Sequence, residues 1–409
     1  MYYVIGKSLK HTMSPFIHKC LGLDYGVKEI ETENDLKSFL QEKNFCGINV
    51  TIPYKESVIQ YLDYVDEGAA QVSAVNTVVN KNGVLYGYNT DVFGMEYSLK
   101  HFNINVENKN VLILGSGGTS KSANYLCKKL GAKIINFVSR KGKVNYENCK
   151  EIPAEIIINT TPVGMYPDNF STPINLKDFP NLCGVFDAVY NPLKTNLVME
   201  AESMNIPCGN GLIMLVAQAA AAAKLFVGVN TDDRTMFDIY KKLSYSQKNI
   251  ILVGMPGSGK SAIGKKLAEI LNKMFIDTDA EIEKFSGKTV AEIFAEGGEE
   301  LFRKIESDVL ENCLKNTNAV IATGGGSVIR ESNRQKMKQS GFSVWIRRDI
   351  LFLAKENRPL SKSTNELEKM YFEREKFYKF AEISVINNEN DINATVETIR
   401  REYEESIGN

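Results

Sequence analysis

The run Gly254-Met255-Pro256-Gly257-Ser258-Gly259-Lys260-Ser261 fits the spacing G-x-x-x-x-G-K-[ST]. These residue types in this order handle polyphosphates. The glycines let the backbone N–H groups of Gly257, Ser258 and Gly259 converge on phosphate oxygens, and a helix start behind them adds positive partial charge. Lys260 is long enough to reach the β- and γ-phosphates, and the Ser261 hydroxyl is a Mg²⁺ ligand. Such a loop works only between a strand and a helix. Asn249 to Val253 is a short apolar run of buried-strand character, and Ile263, Leu267, Ile270 and Leu271 recur at helical spacing. The expected ligand is ATP with Mg²⁺.

A second glycine turn, Gly115-Ser116-Gly117-Gly118-Thr119-Ser120, follows the apolar strand Val111 to Leu114 and precedes a helix carrying Ala123, Leu126 and Leu130. That is the layout of a Rossmann-type dinucleotide turn. The next strand, Lys133 to Val138, ends at Ser139-Arg140-Lys141. An NAD site commonly has an acid there for the ribose 2′-hydroxyl. A hydroxyl and two cations suit a 2′-phosphate, so NADP(H) is the expected cofactor; read alone, the pair also fits a solvated turn.

Other polar residues stand at element ends. Ser14-Pro15 reads as a helix start with Ser14 as N-cap, and the hydroxyls of Thr12 and Ser14 would lie beside that N-terminus, a place for a carboxylate or for plain capping. Asn89-Thr90-Asp91 opens a helix with Val92, Met95 and Leu99 inward, and Asp91 alone reads as a helix-start residue. Lys55 alone reads as a surface lysine. Asp277 and Asp279 alternate at the end of a short strand and so would point to opposite sides of it, only one of them at Mg²⁺. Arg303 lies off the apolar stripe of its helix and alone reads as solvated. Gly324-Gly325-Gly326 ends a buried strand, where a glycine run implies close approach of backbone to a ligand.

The bulk numbers bound the classes. A length of 409 residues predicts two or three domains. With 43% hydrophobic residues, 24% charged and a net charge of −1, the chain is globular and has no basic excess for nucleic acid. Seven cysteines with no C-x-x-C pair make neither a disulfide framework nor a zinc site, which points to a cytoplasmic enzyme. The longest apolar stretch, Gly211 to Ala223, is broken by Gln218 and too short for a membrane, so it reads as a buried helix.

Taken in order, the first 240 or so residues resemble shikimate dehydrogenases. The matching pieces are His11-Thr12-Met13-Ser14-Pro15, Asn49-Val50-Thr51-Ile52-Pro53-Tyr54-Lys55, Ala74-Val75-Asn76-Thr77, Asn89-Thr90-Asp91, Gly115-Ser116-Gly117-Gly118, Ile158-Asn159-Thr160-Thr161, Asp187-Ala188-Val189-Tyr190 and the run from Asn210 to Ala219. The resemblance implies Lys55 and Asp91 as the catalytic pair, Thr12 and Ser14 at the substrate carboxylate, and Thr51, Asn76, Tyr190 and Gln218 around the ring hydroxyls. It implies Gly211 and Met214 near the nicotinamide, and reduction of 3-dehydroshikimate to shikimate by NADPH. Thr12 stands where the family commonly has Ser, and Ser139-Arg140-Lys141 where it commonly has Asn-Arg-Thr.

Residues from about 248 to 405 resemble shikimate kinases. The resemblance implies Asp277 on the Mg²⁺ side and Asp279, Arg303, Gly325, Gly326 and Arg374 at shikimate, with Asp279 accepting the proton of the attacking hydroxyl. Arg358 would belong to a lid and neutralise the transferring phosphate. The segment between Trp345 and Arg358 is short for the family, and Asn387 to Asp391 replaces its basic adenine-side stretch.

The expected fold is α/β throughout. It comprises a substrate domain over 1–100 plus about 218–243, a Rossmann-like NADP domain over 101–217, a linker at 244–248, and a P-loop kinase domain with a parallel sheet over 249–409. The expected partners are small molecules, with no nucleic acid and no membrane. Two alternatives stay open at this point: a quinate/shikimate dehydrogenase using NAD, and a second half that is a nucleotide-dependent regulatory module.

Overall fold

The computed structural model describes residues 1–9, 12–353, 364–388 and 392–408, without the side chains of 364–366 and 408. It divides into two compact units, Met1–Tyr240 and Lys241–Asn409.

The first unit contains two sheets. Strands β1 (Tyr2–Gly6), β2 (Tyr25–Glu29), β3 (Gly47–Val50), β4 (Tyr64–Val65), β5 (Thr77–Lys81) and β6 (Val84–Tyr88) form a mixed sheet in the order β2-β1-β3-β5-β6-β4. Helices α1 (Ser14–Cys20), α2 (Glu33–Glu42), α3 (Glu67–Val72) and α4 (Asp91–His101) accompany it. The start of α1 differs from expectation. Met13 takes the N-cap position, no side chain caps it, and Ser14 is the first helical residue with Pro15 behind it. Thr32 and Asp35 form a reciprocal capping box at α2.

The second sheet is wholly parallel. Strands β7 (Asn110–Leu114), β8 (Ile134–Val138), β9 (Ile156–Asn159), β10 (Gly184–Asp187) and β11 (Cys208–Asn210) run in the order β11-β10-β9-β7-β8, with α5 (Gly118–Lys129) and α6 (Asn196–Ser203) among the connections. Its inner strands β7, β9 and β10 are buried on both faces, as parallel strands covered by helices must be, while edge strand β8 leaves Ile134 and Phe137 exposed. Val111, Ile113, Ile156 and Ile158 enter one core, while Leu112, Leu114 and Ile157 enter another. The order reverses at β7, between β9 and β8, and the Gly115 turn leaves β7 at that switch point, where parallel sheets place their ligands. Helix α7 (Leu212–Val227) is the expected apolar helix, with Leu212, Ile213, Val216, Ala217 and Ala219 fully buried. It runs unbroken through position 217/218, so the expected domain boundary there falls inside one helix.

Helix α8 (Asp233–Gln247) crosses from the first unit into the second. Residues 244–247, expected as linker, are its last turn. Met236, Ile239 and Leu243 are buried along α8 at helical spacing, and half-buried Tyr245 lies off that row with its ring meeting Tyr403 at 5.3 Å.

The second unit is a parallel sheet of β12 (Asn249–Val253), β13 (Met274–Asp277), β14 (Ala319–Ala322), β15 (Gly341–Arg347) and β16 (Ile383–Ile386), in the order β13-β14-β12-β15-β16. Helices α9 (Lys260–Leu271), α10 (Thr278–Ser286), α11 (Val290–Leu314), α12 (Glu331–Ser340), α13 (Thr364–Tyr378) and α14 (Ile392–Gly408) surround it. Again the order reverses at the strand that carries the glycine loop, β12. Helix α11 consists of two helical pieces that meet at Gly298, where φ is 68° and the backbone leaves helical geometry. Lys273, just before β13, is buried; its Nζ donates to the carbonyls of Tyr245 and Lys248 at 2.9 and 3.2 Å and to Asn318 Oδ1 at 2.8 Å. No helix among the described residues is long and apolar enough to cross a membrane. The α/β architecture with parallel sheets agrees with the expected fold class.

Candidate active sites

In the first unit, β3 ends beside the loop that carries Lys55, and α4 starts at Asp91. Lys55 Nζ donates to Asp91 Oδ2 at 2.5 Å, and both side chains are largely buried. The other carboxylate oxygen, Oδ1, accepts from Asn76 Nδ2 at 2.8 Å. Asn76 Nδ2 also approaches Thr90 Oγ1 at 3.0 Å and Gln218 Oε1 at 3.4 Å. Four expected residues, Lys55, Asn76, Asp91 and Gln218, thus belong to one hydrogen-bonded group. The loop after β3, the approach to β5, the start of α4 and the second turn of α7 meet there. Helix α4 can lie against α7 because Gly94 has no side chain: a Cβ on it would stand 2.6 Å from the Met214 carbonyl oxygen and 3.0 Å from Gln218 Cβ.

The Gly115–Gly118 turn lies beside this group, since a Cβ on Gly118 would sit 3.4 Å from Lys55 Cδ. Gly117 caps α5 and Gly118 opens it. Gly115 has φ of +116°, and a side chain there would meet Thr160 Oγ1 at 2.6 Å. Ser139 closes a turn through its carbonyl to the Gly142 N–H, leaving Arg140 and Lys141 exposed to solvent. Thr12 and Ser14 pair with each other, Oγ1 to Oγ at 3.3 Å. Thr51 follows β3, its methyl 2.6 Å from where a Gly6 Cβ would be. Tyr190 follows β10, and burial raises its phenol. Gly211 caps α7, with buried Met214 one turn before Gln218. Below this loop Asp187 is fully buried and accepts from Asn159, the Val189 N–H and Thr195. Burial pushes its carboxyl up to about 6, against these donors.

In the second unit, a cavity of about 840 Å³ brings Lys260 and Ser261 together with Asp277, Asp279, Arg303 and Arg374, and the Gly324–Gly326 loop lines it as well. Lys260 Nζ donates to the Gly254 and Met255 carbonyls, each at 2.9 Å. The Ser261 hydroxyl donates to Asp277 Oδ2 at 2.6 Å, and Asp277 caps α10 by accepting the Asp279 N–H at 3.1 Å. The two acids therefore separate differently from expectation. Only Asp277 is on the strand; Asp279 is the second residue of α10, because a capping aspartate starts a helix at once. Burial pushes Asp279 up to about 6; Lys260 and Arg303 pull it down, while Asp277 and Glu306 add to the rise.

Arg303 is not the solvated residue that its place off the apolar stripe implies. It is 8% exposed and held by Glu306 at 2.8 Å and Glu299 at 3.1 Å. Arg374 is equally buried, and burial lowers its pKa, with Arg303 adding to the effect. Paired guanidinium donors match a planar carboxylate. The glycine loop is packed too tightly for side chains. A Cβ on Gly324 would fall 2.7 Å from Asp279 Oδ1, one on Gly325 2.5 Å from Pro256 Cδ, and one on Gly326 2.2 Å from Arg303 Nη1. Arg358 lies outside the described residues.

Sequence reasoning missed several participants. Glu306 is buried, holds Arg303 and accepts from Ser327 at 2.8 Å; its i+3 spacing from Arg303 on a predicted helix was the available signal. Tyr378 donates to the Gly325 carbonyl at 2.6 Å, and Asn387 Nδ2 donates to the Ser258 carbonyl at 2.8 Å, so the stretch expected at the adenine side braces the phosphate loop. Among the described residues no group of three or more His, Cys, Asp or Glu could hold a metal ion by itself. A Ser–Asp pair fits Mg²⁺ all the same, because this ion keeps several waters and takes one or two protein oxygens beside substrate phosphates.

Comparison with known proteins bears on both units. Residues 4–78 match the family model for the shikimate dehydrogenase substrate binding domain, and residues 256–404 match that for shikimate kinase. A curated relative from Caldicellulosiruptor bescii, a shikimate dehydrogenase (NADP(+)), is 36% identical over 278 residues, covering 60% of this chain and 95% of the relative. The crystal structure of shikimate dehydrogenase 1 from Peptoclostridium difficile is similar at 33% identity and a TM-score of 0.55, covering 59% of this chain and 97% of that one. Shikimate 5-dehydrogenase from Thermus thermophilus, solved in complex with NADP(H) and shikimate, is 29% identical with a TM-score of 0.54, covering 59% of this chain and 98% of that one.

Proposed function

The chain belongs to the shikimate dehydrogenase family and carries a shikimate kinase domain behind it, and from that premise we propose how its residues run two successive reactions on one small acid. The first is reduction of 3-dehydroshikimate to shikimate. The second is phosphorylation of shikimate to shikimate 3-phosphate.

In the first unit NADPH supplies the hydride, held on the Gly115-Ser116-Gly117-Gly118-Thr119 turn with Ser139, Arg140 and Lys141 at its 2′-phosphate and Gly211 and Met214 near the nicotinamide. Thr12 and Ser14 bind the substrate carboxylate; Thr51, Asn76, Tyr190 and Gln218 bind its hydroxyls. As the ketone takes up hydride, its oxygen becomes an alkoxide that needs a nearby cation and a proton. The Lys55 ammonium, fixed by Asp91 at 2.5 Å, provides both.

In the second unit Gly257, Ser258, Gly259 and Lys260 cradle the phosphates of ATP, assisted by Arg358. Ser261 and Asp277 would hold Mg²⁺, which would supply positive charge to neutralise the phosphates of ATP. Arg303 and Arg374 clamp the shikimate carboxylate, and the Gly325 and Gly326 backbone closes over the ring. Asp279 accepts the proton of the attacking 3-hydroxyl. One observation carries this reading: the cavity that contains Lys260 and Ser261 also contains Asp279 and two buried arginines. A nucleotide switch without an acceptor has no use for a carboxylate clamp.

The test is a coupled assay on the full chain with 3-dehydroshikimate, NADPH, ATP and Mg²⁺, following all three carbon compounds. Lys55→Ala should abolish the reduction and spare the kinase, and Lys260→Ala should do the reverse. Loss of both activities in either variant, or a clear preference for quinate or NAD, contradicts the reading.

A further inference from the structure

A chain of directed hydrogen bonds leads away from the Lys55–Asp91 pair into the interior. It starts at His18, on α1, one helical turn after Ser14. His18 is fully buried and stacked on Tyr25, ring centroids 3.9 Å apart. Its Nε2 lies 3.1 Å from Asn49 Oδ1, which also accepts from the Tyr25 hydroxyl at 2.6 Å. An amide oxygen only accepts, so His18 carries its proton on Nε2. Its Nδ1 is buried with no partner among the described residues, and burial lowers the imidazole to about 4, which keeps it neutral. With Oδ1 occupied, Asn49 turns Nδ2 to Thr77 Oγ1 at 3.0 Å. Thr77, having accepted there, has one proton to give and stands 3.2 Å from Asn76 Oδ1 and 3.1 Å from Thr90 Oγ1, whose hydroxyl in turn stands 3.2 Å from the same Asn76 oxygen, so both routes end on Asn76. That oxygen also accepts the Thr90 N–H at 2.7 Å, which leaves Asn76 Nδ2 for Asp91 Oδ1.

Every link from His18 to Asp91 is buried. A bond made there competes with no water, and one left unmade costs the desolvation of its partner. The substrate spans a fixed distance between its carboxylate and its reacting carbon. The residue one turn from the carboxylate-binding Ser14 is thereby tied to the group that protonates the other end.

We infer that His18 is a positioning residue for the reduction, setting the Lys55–Asp91 pair relative to Ser14 through Asn49, Thr77 and Asn76. The inference rests on the roles proposed above for Ser14, Lys55, Asp91 and Asn76.

The test uses the full chain and steady-state kinetics with 3-dehydroshikimate and NADPH. His18→Phe keeps a flat ring on Tyr25 and removes the donor, while His18→Gln restores a donor near the same place. With one buried hydrogen bond at stake, kcat should fall about tenfold in His18→Phe. The KM for NADPH should stay put, and His18→Gln should recover most of the rate. Thr77→Val and Thr77→Ser form a second pair with the same expected pattern, and they decide if His18→Phe does not fold. A wild-type kcat in His18→Phe, a Gln variant no better than Phe, or a loss shared by NADPH binding overturns the inference. Lys55→Ala is measured alongside: an active Lys55→Ala overturns the underlying reading instead.

Discussion

Gly326→Ala isolates the acceptor side of the kinase site. A methyl there would lie 2.2 Å from Arg303 Nη1 and 2.3 Å from Nη2. To reach the 3.4 Å of ordinary contact, the guanidinium must retreat by about 1.2 Å. The obstructing atoms are the far end of a flexible side chain, so the backbone is spared and the fold should survive. Arg303 cannot retreat and keep its geometry, because Glu306 at 2.8 Å and Glu299 at 3.1 Å hold it from two sides. The loss is therefore a charge-assisted hydrogen bond to the shikimate carboxylate, about 2 kcal/mol, or roughly thirtyfold in KM for shikimate. Initial-rate kinetics with shikimate and ATP varied in turn would measure it, with the dehydrogenase rate of the same preparation as control. An unchanged KM for shikimate would refute the argument, as would an equal rise in the KM for ATP.

Other expectations follow from the same geometry. Asp279, raised to about 6 by burial, must be ionised to accept a proton, so kinase kcat/KM should fall as pH drops through about 6 while Asp279→Asn abolishes it at every pH. Asp277→Asn should raise the Mg²⁺ concentration for half-maximal kinase rate and leave the reduction alone, as a Mg²⁺ titration of both activities would show. His18 ordinarily titrates at 6.5 and in the folded unit at about 4, so the unfolded chain takes the proton first. Its contribution to stability is full above 6.5 and lost as pH falls towards 4, and thermal melts of His18→Phe should lack that slope. Asp187 has the opposite sign: raised from 3.8 to about 6, it binds its proton more tightly when folded, so stability gains as pH falls through that window. Asp187→Asn should steepen the acid loss in the same melts.

The sequence displayed those features that are local. The phosphate loop, its strand and its helix are one contiguous segment whose glycine spacing has few other uses. The switch-point position of both glycine turns follows from strand order, which no single segment displays. Lys55 and Asp91 stand 36 residues apart, and neither looks catalytic alone; only the order of eight pieces along the chain gave them roles. Asn49, Thr77 and Thr90 stand in the matching pieces without roles of their own and His18 stands outside them, because the meaning of all four lies in which atom each faces across separate elements. Ser14 was misplaced by one position because Pro15 suits either of the first two helical positions. Asp279 was read onto a strand because alternation looks the same whether or not a capping aspartate has ended it. The expected linker is polar and carries no apolar repeat of its own, and the partner that holds its tyrosine is 158 residues away.

The buried Lys273 gives the kinase a severable edge that is not where its first strand begins. Two of the three oxygens to which its ammonium donates belong to Tyr245 and Lys248, and the Tyr403 hydroxyl donates to the same two carbonyls at 3.0 Å each. A fragment cut at Asn249 would leave the ammonium with one of its three oxygen acceptors, Asn318 Oδ1, beside the Tyr403 ring, and strip the phenol of both carbonyls that accept from it. One cut at Lys241 keeps them all. Any shuffling of this enzyme onto another partner, by recombination or by hand, has to carry the last turns of α8 along with it.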